Sequence, residues 1–177
     1  MALQKDEIRR LLERLNDELA RAGITGELYL VGGAVMCLAF NDARPSTRDL
    51  DGFFKPARAV RSAAKRVAAT LGLDDNWLND AVKRYLGNQG NFQEYLDLSN
   101  LRVMIAGPEY LLAMKCLALR LGEEFHDEAD VRFLLRYLNI TNYQKALDII
   151  CQYYPLERFP QKTLYALEEM VDDLVPD

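Results

Sequence analysis

The chain has 177 residues, of which 50% are hydrophobic and 28% are charged, with a formal net charge of −5. This composition excludes a wholly disordered chain and is typical of a globular domain. The acidic balance argues against a protein that coats nucleic acid, because non-specific affinity comes mainly from Lys and Arg on phosphates. Since no apolar run reaches the length of about 18 residues needed to cross a bilayer, no membrane span is expected.

Residues 1–20 are charged and amphipathic throughout, so they lack the apolar region of a secretory signal. The three cysteines, Cys37, Cys116 and Cys151, lie far apart, and the single histidine, His126, lies in an acidic stretch. This distribution favours neither a disulfide framework nor a zinc site. The chain is therefore expected in the reducing cytoplasm, without zinc.

The N-terminal half alternates between helical and strand patterns. Apolar residues at helical spacing predict a first helix over 8–19, and Gly23 suits its C-terminal cap. Short apolar runs predict buried strands over 27–31 and 49–54. Between them, the apolar segment 34–40 follows two glycines and predicts a buried helix.

The remaining elements give a strand-containing first half and a helical second half. In chain order the patterns predict a helix over 56–71, a short helix over 77–86, strands over 94–98 and 101–106, and helices over 109–121, 131–138, 143–153 and 163–174. The expected fold class is α+β, with a small mixed sheet flanked by helices over residues 1–107. The helical C-terminal region, 108–177, is expected to pack on that core.

The helix predicted over 56–71 has a one-sided charge distribution. Residues 55–72 include five cations and no acid. Arg58, Arg61 and Lys65 share one helix face by their spacing. Both a solvated face and a phosphate-binding face fit this pattern, and the latter could guide a polyanionic acceptor.

Two acidic residues stand out within the second predicted strand. Asp49 and Asp51 are two positions apart, so in a strand their side chains project from one face while Leu50 points into the core. Carboxylates this close repel each other, and a divalent cation relieves that repulsion. Magnesium prefers oxygen ligands and completes its shell with waters and substrate phosphates. The pair therefore predicts a magnesium site, against the alternative of an exposed strand edge.

The Gly32-Gly33 turn precedes this pair by about 17 residues in the chain. Glycines between a strand and a helix let a ligand approach the backbone closely, and the helix N-terminus offers free N–H groups to a phosphate. The phosphates of a nucleoside triphosphate would fit between the turn and the carboxylate strand. Paired metal ions there could assist an in-line displacement. A plain tight turn is the structural alternative.

The pattern G-G-A followed by R-x-x-T-x-D-x-D resembles the nucleotidyltransferase superfamily with the DNA polymerase β-like fold. It is most similar to the minimal bacterial branch that includes abortive-infection-type nucleotidyltransferase toxins. Residues 101–121 (LRVMIAGPEYLLAMKCLALRL) and 126–135 (HDEADVRFLL) also resemble that branch. The resemblance therefore covers much of the chain, from about residue 27 to 138.

This resemblance implies a nucleotidyltransferase-like sheet and a Mg²⁺- or Mn²⁺-dependent transfer of a nucleoside monophosphate from an NTP to an RNA or protein hydroxyl. A toxin role, with an antitoxin or another neighbouring-gene protein as partner, is one further implication. Carried over residue by residue, the resemblance makes Asp49 and Asp51 the metal ligands. It assigns nucleotide binding to Gly32, Gly33, Arg44, Thr47 and Lys115.

Lys115 also invites a second interpretation from the residues alone. It lies in an otherwise apolar helical segment, so its charge needs a partner. Asp127 and Asp130, three residues apart on one helix face, are candidate partners. A ligand phosphate is the other candidate.

Active members of the superfamily that this sequence resembles usually have a third carboxylate on a later strand, which in transferases acts as general base on the attacking hydroxyl. Asp97 is the preferred candidate, because its segment best fits a strand beside Asp49 and Asp51. Glu94 and Asp80 are alternatives. Without such a carboxylate, the chain would be a catalytically inactive nucleotide-binding or protein-interaction module on the same fold.

Overall fold

The computed structural model describes residues 2–40, 43–86, 90–121 and 126–174, without the side chains of residues 84 and 85. Within these ranges, seven α-helices, a five-stranded mixed sheet and a two-stranded sheet confirm the α+β class. No helix in the same ranges combines the length and apolarity that a membrane span requires.

The chain divides into two compact units. The first contains Met1–Arg84 and Phe92–Ala106, and the second contains Tyr85–Asn91 and Gly107–Asp177. The division predicted from the sequence, after residue 107, differs from this one mainly in where residues 85–91 belong.

The first unit contains all the strands and three α-helices of the described chain. Its elements are β1 (Leu3–Gln4), α1 (Lys5–Arg21), β2 (Gly26–Val31), α2 (Gly32–Ala39), β3 (Ser46–Thr47), β4 (Leu50–Lys55), α3 (Ala57–Leu71), β5 (Leu78–Asn79), β6 (Phe92–Asp97) and β7 (Leu101–Ala106). The apolar stripe of α1 is buried, as its spacing predicts. Gly23 follows that helix with a φ of +66°, which confirms it as the helix-ending glycine.

The large sheet has the strand order β5-β4-β2-β7-β6. Strand β2 runs antiparallel to β4 and parallel to β7. Its inner face is apolar and includes Leu28 and Leu30, which are fully buried. On this face a Cβ at Gly26 would lie 3.1 Å from both Leu19 of α1 and Val60 of α3. Helices α1 and α3 therefore cover the inner face, while the outer face bears the half-buried Tyr29.

One local prediction for this unit was wrong, and one short pair of strands was not predicted. The segment predicted as a helix over 77–86 instead forms β5 and then a 3₁₀ helix, Ala81–Tyr85. Strand β5 extends the sheet in parallel with β4, and the Leu50 N–H donates to the Trp77 carbonyl at 2.7 Å. This tertiary pairing overrides the local helical pattern. The paired two-residue strands β1 and β3 were also not predicted, since two residues show no periodicity.

The second unit is helical in its described residues. It contains α4 (Pro108–Leu117), α5 (Asp127–Tyr137), α6 (Tyr143–Ile150), a 3₁₀ helix (Leu156–Arg158) and α7 (Gln161–Asp172). Pro108 occupies the first turn of α4, where its missing N–H has no helical partner to lose. Tyr110 of α4 is fully buried, with its ring 5.0 Å from that of Tyr153.

Candidate functional site

The glycine turn and the carboxylate strand lie side by side in the first unit. Val31, the last residue of β2, is paired with Asp51 of β4, and α2 begins directly after it at Gly32. Gly32 has a φ of +65°, which disfavours a side chain. A Cβ at this position would lie 3.4 Å from Oδ2 of Asp51. The start of α2 therefore borders the carboxylate directly.

Gly33 brings a hydroxyl and a guanidinium to the same helix start. A Cβ at Gly33 would lie 2.8 Å from Oγ1 of Thr47 and 2.9 Å from Cζ of Arg44. The Arg44 Nε–H donates to the carbonyl of Ser46 at 3.1 Å. The Thr47 hydroxyl donates to the carbonyl of Asp49 at 3.2 Å, which fixes the chain just before β4. Because Gly33 has no side chain, there is room for the Arg44 guanidinium beside the N-terminus of α2.

The two carboxylates share one electrostatic environment. Between them Leu50 is fully buried, as the alternation of the strand predicts. Burial raises the pKa of Asp49, and the charge of Asp51 raises it further, while Arg44 and Arg48 oppose these effects without cancelling them. A divalent cation at this pair would favour the ionised form of both.

Asn79 is a site residue that the sequence argument missed. It lies in β5, opposite Asp51, and its Nδ2–H donates to Oδ2 of Asp49 at 3.4 Å. The only available signal was a polar residue after the apolar pair Trp77-Leu78, in a segment predicted to be helical. The amide holds the Asp49 side chain on the same side of the sheet edge as Asp51.

An open cleft of about 450 Å³ adjoins Asp49. Its polar lining includes Arg48, which precedes β4 in the chain, and Asp74 and Asn76, which follow α3. The negative charge of Asp74 contributes to the raised pKa of Asp49. Asp49 therefore lines an open, partly polar cleft.

The oxygen atoms of Asp49 and Asp51 are the type of ligand that a hard cation prefers. No cluster of three or more His, Cys, Asp or Glu side chains able to hold a metal occurs in the described part of the chain. Asp49 and Asp51 would supply oxygen ligands, and magnesium commonly takes one or two carboxylates together with waters and phosphate oxygens. A zinc site would need nitrogen or sulfur ligands that these residues do not provide.

Asp97 lies away from this pair, so the prediction that its strand is a neighbour of Asp49 and Asp51 was wrong. Strands β2 and β7 separate β6 from β4. Three strand spacings amount to roughly 14 Å. The pairings of β6 with β7, of β7 with β2 and of β2 with β4 also place Asp97 level with Lys55. Lys55 lies at the other end of β4 from Asp51. The exposed side chain of Asp97 instead lies 3.5 Å from Arg102.

The two alternative third carboxylates have other partners. Asp80 lies 2.6 Å from Lys83 and 2.7 Å from Arg61. The hydrogen bond from Lys83, and then that from Arg61, lower the pKa of Asp80 despite its partial burial. Glu94 is exposed on β6, 3.6 Å from Arg102. Neither carboxylate belongs to the β4 strand or to the adjacent glycine turn.

Lys115 belongs to the second unit and has carboxylate partners there. Its ammonium lies 2.6 Å from Oδ2 of Asp130 and 3.4 Å from Oδ1 of Asp127. All three side chains are buried, and Arg120 adds a 2.8 Å contact to Asp127. The prediction that Asp127 and Asp130 are its partners is confirmed. The assignment of Lys115 to nucleotide binding stays a prediction.

Comparisons with models of protein families, with characterised proteins and with solved structures found no match.

A matched pair of glycine substitutions tests the geometry of the turn. Gly32 and Gly23 have nearly the same φ, +65° and +66°, but only Gly32 borders a carboxylate. Each change to Ala should cost about 1–2 kcal/mol in the free energy of unfolding, because both force a left-handed backbone on a residue with a Cβ. If the turn holds the phosphates of a metal–NTP complex, only Gly32→Ala should also weaken the thermal stabilisation that Mg²⁺ and an NTP then produce. Equal nucleotide responses in the two variants would place the ligand elsewhere.

Proposed function

We propose that the protein is a magnesium-dependent nucleotidyltransferase that moves a nucleoside monophosphate from an NTP to a hydroxyl group of an RNA or protein. The observation that supports this proposal is the juxtaposition of Gly32 with Asp51 and of Arg44 with Gly33. Two carboxylates, a guanidinium and a helix N-terminus meet at one end of the sheet. This combination matches the requirements of a bound metal–triphosphate complex.

In the proposed reaction the acceptor oxygen attacks the α-phosphorus and loses its proton to a base or to water. The bond from the α-phosphorus to the bridging oxygen breaks, and pyrophosphate leaves with the electron pair. Magnesium, when bound, would polarise the phosphoryl group and stabilise the charge on the attacking and leaving oxygens. Asp49 and Asp51 would hold the metal.

The remaining site residues orient the triphosphate. Arg44 and the first N–H groups of α2 would bind the phosphate oxygens that become pyrophosphate. Thr47 is a positioning residue, since its hydroxyl holds the carbonyl of Asp49. Asn79 limits the rotation of the Asp49 carboxylate through its 3.4 Å hydrogen bond.

The test is transfer of label from each of four α-labelled NTPs, with Mg²⁺ or Mn²⁺, to total RNA and total cell protein. We expect label in one acceptor class with the wild-type protein, and none after EDTA addition or with Asp49→Asn. Susceptibility of the labelled product to ribonuclease or protease would identify the acceptor. Failure to transfer any of the four nucleotides, with the protein folded, would contradict the proposal.

A catalytically inactive nucleotide-binding module is the second candidate. One observation favours it: among the described residues, no third carboxylate lies close enough to Asp49 and Asp51 to complete a three-residue metal site. It predicts that Mg²⁺ and an NTP raise the melting temperature of the wild type, but not of Asp49→Asn, while no acceptor is labelled. The transfer assay and this melting experiment together separate the two candidates.

A further inference from the structure

A cluster of three aromatic rings lies on the outer face of the sheet, next to Asp51. Phe53 is two residues after Asp51 and shares its face of β4. Tyr29 lies directly opposite Phe53, and the two rings stack at 4.4 Å with an angle of 3° between their planes. Phe92 meets both rings edge-on, at 5.2 Å and 5.7 Å. We call Tyr29, Phe53 and Phe92 the aromatic platform.

The aromatic platform differs from an ordinary core cluster. On the inner face of the sheet Leu28 and Leu30 are fully buried, whereas all three platform rings are only half-buried. The Tyr29 hydroxyl donates to Oε2 of Glu27 at 2.8 Å, so the edge of the platform is polar. The exposed Lys55 places its ammonium 5.8 Å from the centre of the Tyr29 ring. A cation thus borders rings that keep part of their surface exposed.

The order of these groups along β4 indicates which substrate they meet. The glycine turn and Arg44 lie at one end of the strand, Asp51 follows, and then come Phe53 and Lys55. In an in-line displacement the attacking oxygen approaches opposite to the leaving pyrophosphate. If the triphosphate lies at the glycine turn, the acceptor reaches Asp51 from the side of the aromatic platform.

We propose that the aromatic platform binds the end of a single-stranded RNA acceptor by stacking its bases, with Lys55 contacting a backbone phosphate. This inference rests on the proposed function and assigns its acceptor class. Base–aromatic stacking is independent of sequence, and an adjacent cation complements the phosphate that accompanies each base.

The test measures RNA binding separately from catalysis. Fluorescence anisotropy of a labelled single-stranded oligoadenylate, at low salt with EDTA, reports binding to the full chain without transfer. Phe53→Leu should weaken binding about tenfold, and Phe53→Tyr should restore it, because stacking needs a ring rather than a particular one. Tyr165→Leu removes a ring that is 61% exposed on α7 and serves as the matched control. We expect no change with it.

Lys55→Gln provides a second variant at an exposed position, in case Phe53→Leu does not fold. It should weaken binding and reduce the slope of log affinity against log salt by about 0.7, the value for one phosphate contact on a single strand. Equal binding by the wild type, Phe53→Leu and Lys55→Gln would overturn the inference. So would absence of RNA binding at low salt, or transfer of label to protein alone.

The outcomes also separate this inference from the proposed function. RNA binding that depends on Phe53, without any nucleotide transfer, would support the aromatic platform and contradict the enzyme. Transfer exclusively to protein would support the enzyme and contradict the aromatic platform.

Discussion

Asp49→Asn should reduce nucleotide transfer by about 10³-fold or more while the protein remains folded. A catalytic metal contributes several kcal/mol of transition-state stabilisation, and each 1.36 kcal/mol corresponds to about a factor of ten in rate. Asparagine keeps the size of the side chain and an acceptor oxygen for the Asn79 amide, which lies 3.4 Å from the carboxylate. It lacks the charge that a magnesium ion needs. Initial rates of label transfer at saturating Mg²⁺ measure the effect.

The same substitution should stabilise the protein at neutral pH when no metal is present. Burial and the nearby Asp51 raise the pKa of Asp49, so ionised Asp49 opposes folding. A carboxyl with a raised pKa gives its full contribution to folding stability when the pH is below its unfolded-state pKa of about 3.9. That contribution is lost as the pH rises through the folded-state pKa. The higher melting temperature of Asp49→Asn in EDTA should therefore appear at pH 7 and vanish near about pH 3.5.

Asp97→Asn is the matched control, since it removes the same charge at the other end of the sheet. The Asp97 carboxylate is exposed and lies 3.5 Å from the Arg102 guanidinium, an ion pair that contributes little to stability. Its transfer rate should stay within about twofold of the wild type, well short of the loss expected at a metal ligand. A loss of transfer in Asp97→Asn equal to that in Asp49→Asn would contradict the site as described. Unfolding of Asp49→Asn would show that this residue is structural.

Local sequence patterns were sufficient for most elements of the fold. The strand predicted over 101–106 is β7, Leu101–Ala106, because a run of apolar residues between turn signals has few alternatives. The helix predicted over 109–121 ends earlier, at Leu117. Its apolar pattern continues beyond the last helical hydrogen bond, so the pattern alone extends the helix too far. The short strand β5 was missed because its pairing with β4, rather than its own residues, determines its conformation.

For the candidate site, too, local sequence patterns predicted some features, whereas others depend on the pairing of strands that are distant in the chain. The Asp49–Asp51 spacing alone places both carboxylates at the start of β4, and the Gly32-Gly33 pair alone predicts a turn into a helix. The order of strands in a sheet is not encoded in such local patterns. The sequence therefore placed Asp97 beside the carboxylate pair, although two strands intervene, and it gave no indication that Asn79 reaches Asp49.

In the second unit, Lys115→Met should lower the free energy of unfolding by about 3–5 kcal/mol, the usual cost of removing one partner from a buried ion pair. The Lys115 ammonium lies 2.6 Å from Asp130, whose residue surface is only 2% exposed. Methionine fills the space of the lysine stem but leaves the carboxylates without that charge. Urea denaturation at neutral pH, followed by circular dichroism, measures the loss.

Two further variants separate the ion pair from the size of the side chain. Lys162→Met, at an exposed position on α7, should change stability by less than about 0.5 kcal/mol. Lys115→Met combined with Asp130→Leu should recover most of the loss, because an apolar replacement for a buried pair is often neutral. Additive losses in the double variant would show that the two side chains do not act as a pair.

The pH dependence gives an independent check on the same cluster. Burial alone would raise the pKa of Asp127, but the Arg120 hydrogen bond and the charges of Lys115 and Arg120 outweigh it and lower that pKa. A carboxyl with a lowered pKa stabilises the fold above its unfolded value of about 3.9, and this stabilisation is lost as the pH falls through the folded value. Wild-type stability should therefore decline in acid more steeply than that of Lys115→Met.

The Lys115 variant also decides between the two roles of this lysine. A structural ion pair predicts lower stability at every nucleotide concentration, with the melting shift produced by Mg²⁺ and an NTP unchanged. The role implied by the sequence resemblance predicts the reverse, a stable variant that no longer responds to nucleotide. Because Asp127 and Asp130 already neutralise the Lys115 ammonium at 3.4 Å and 2.6 Å, we expect the first result.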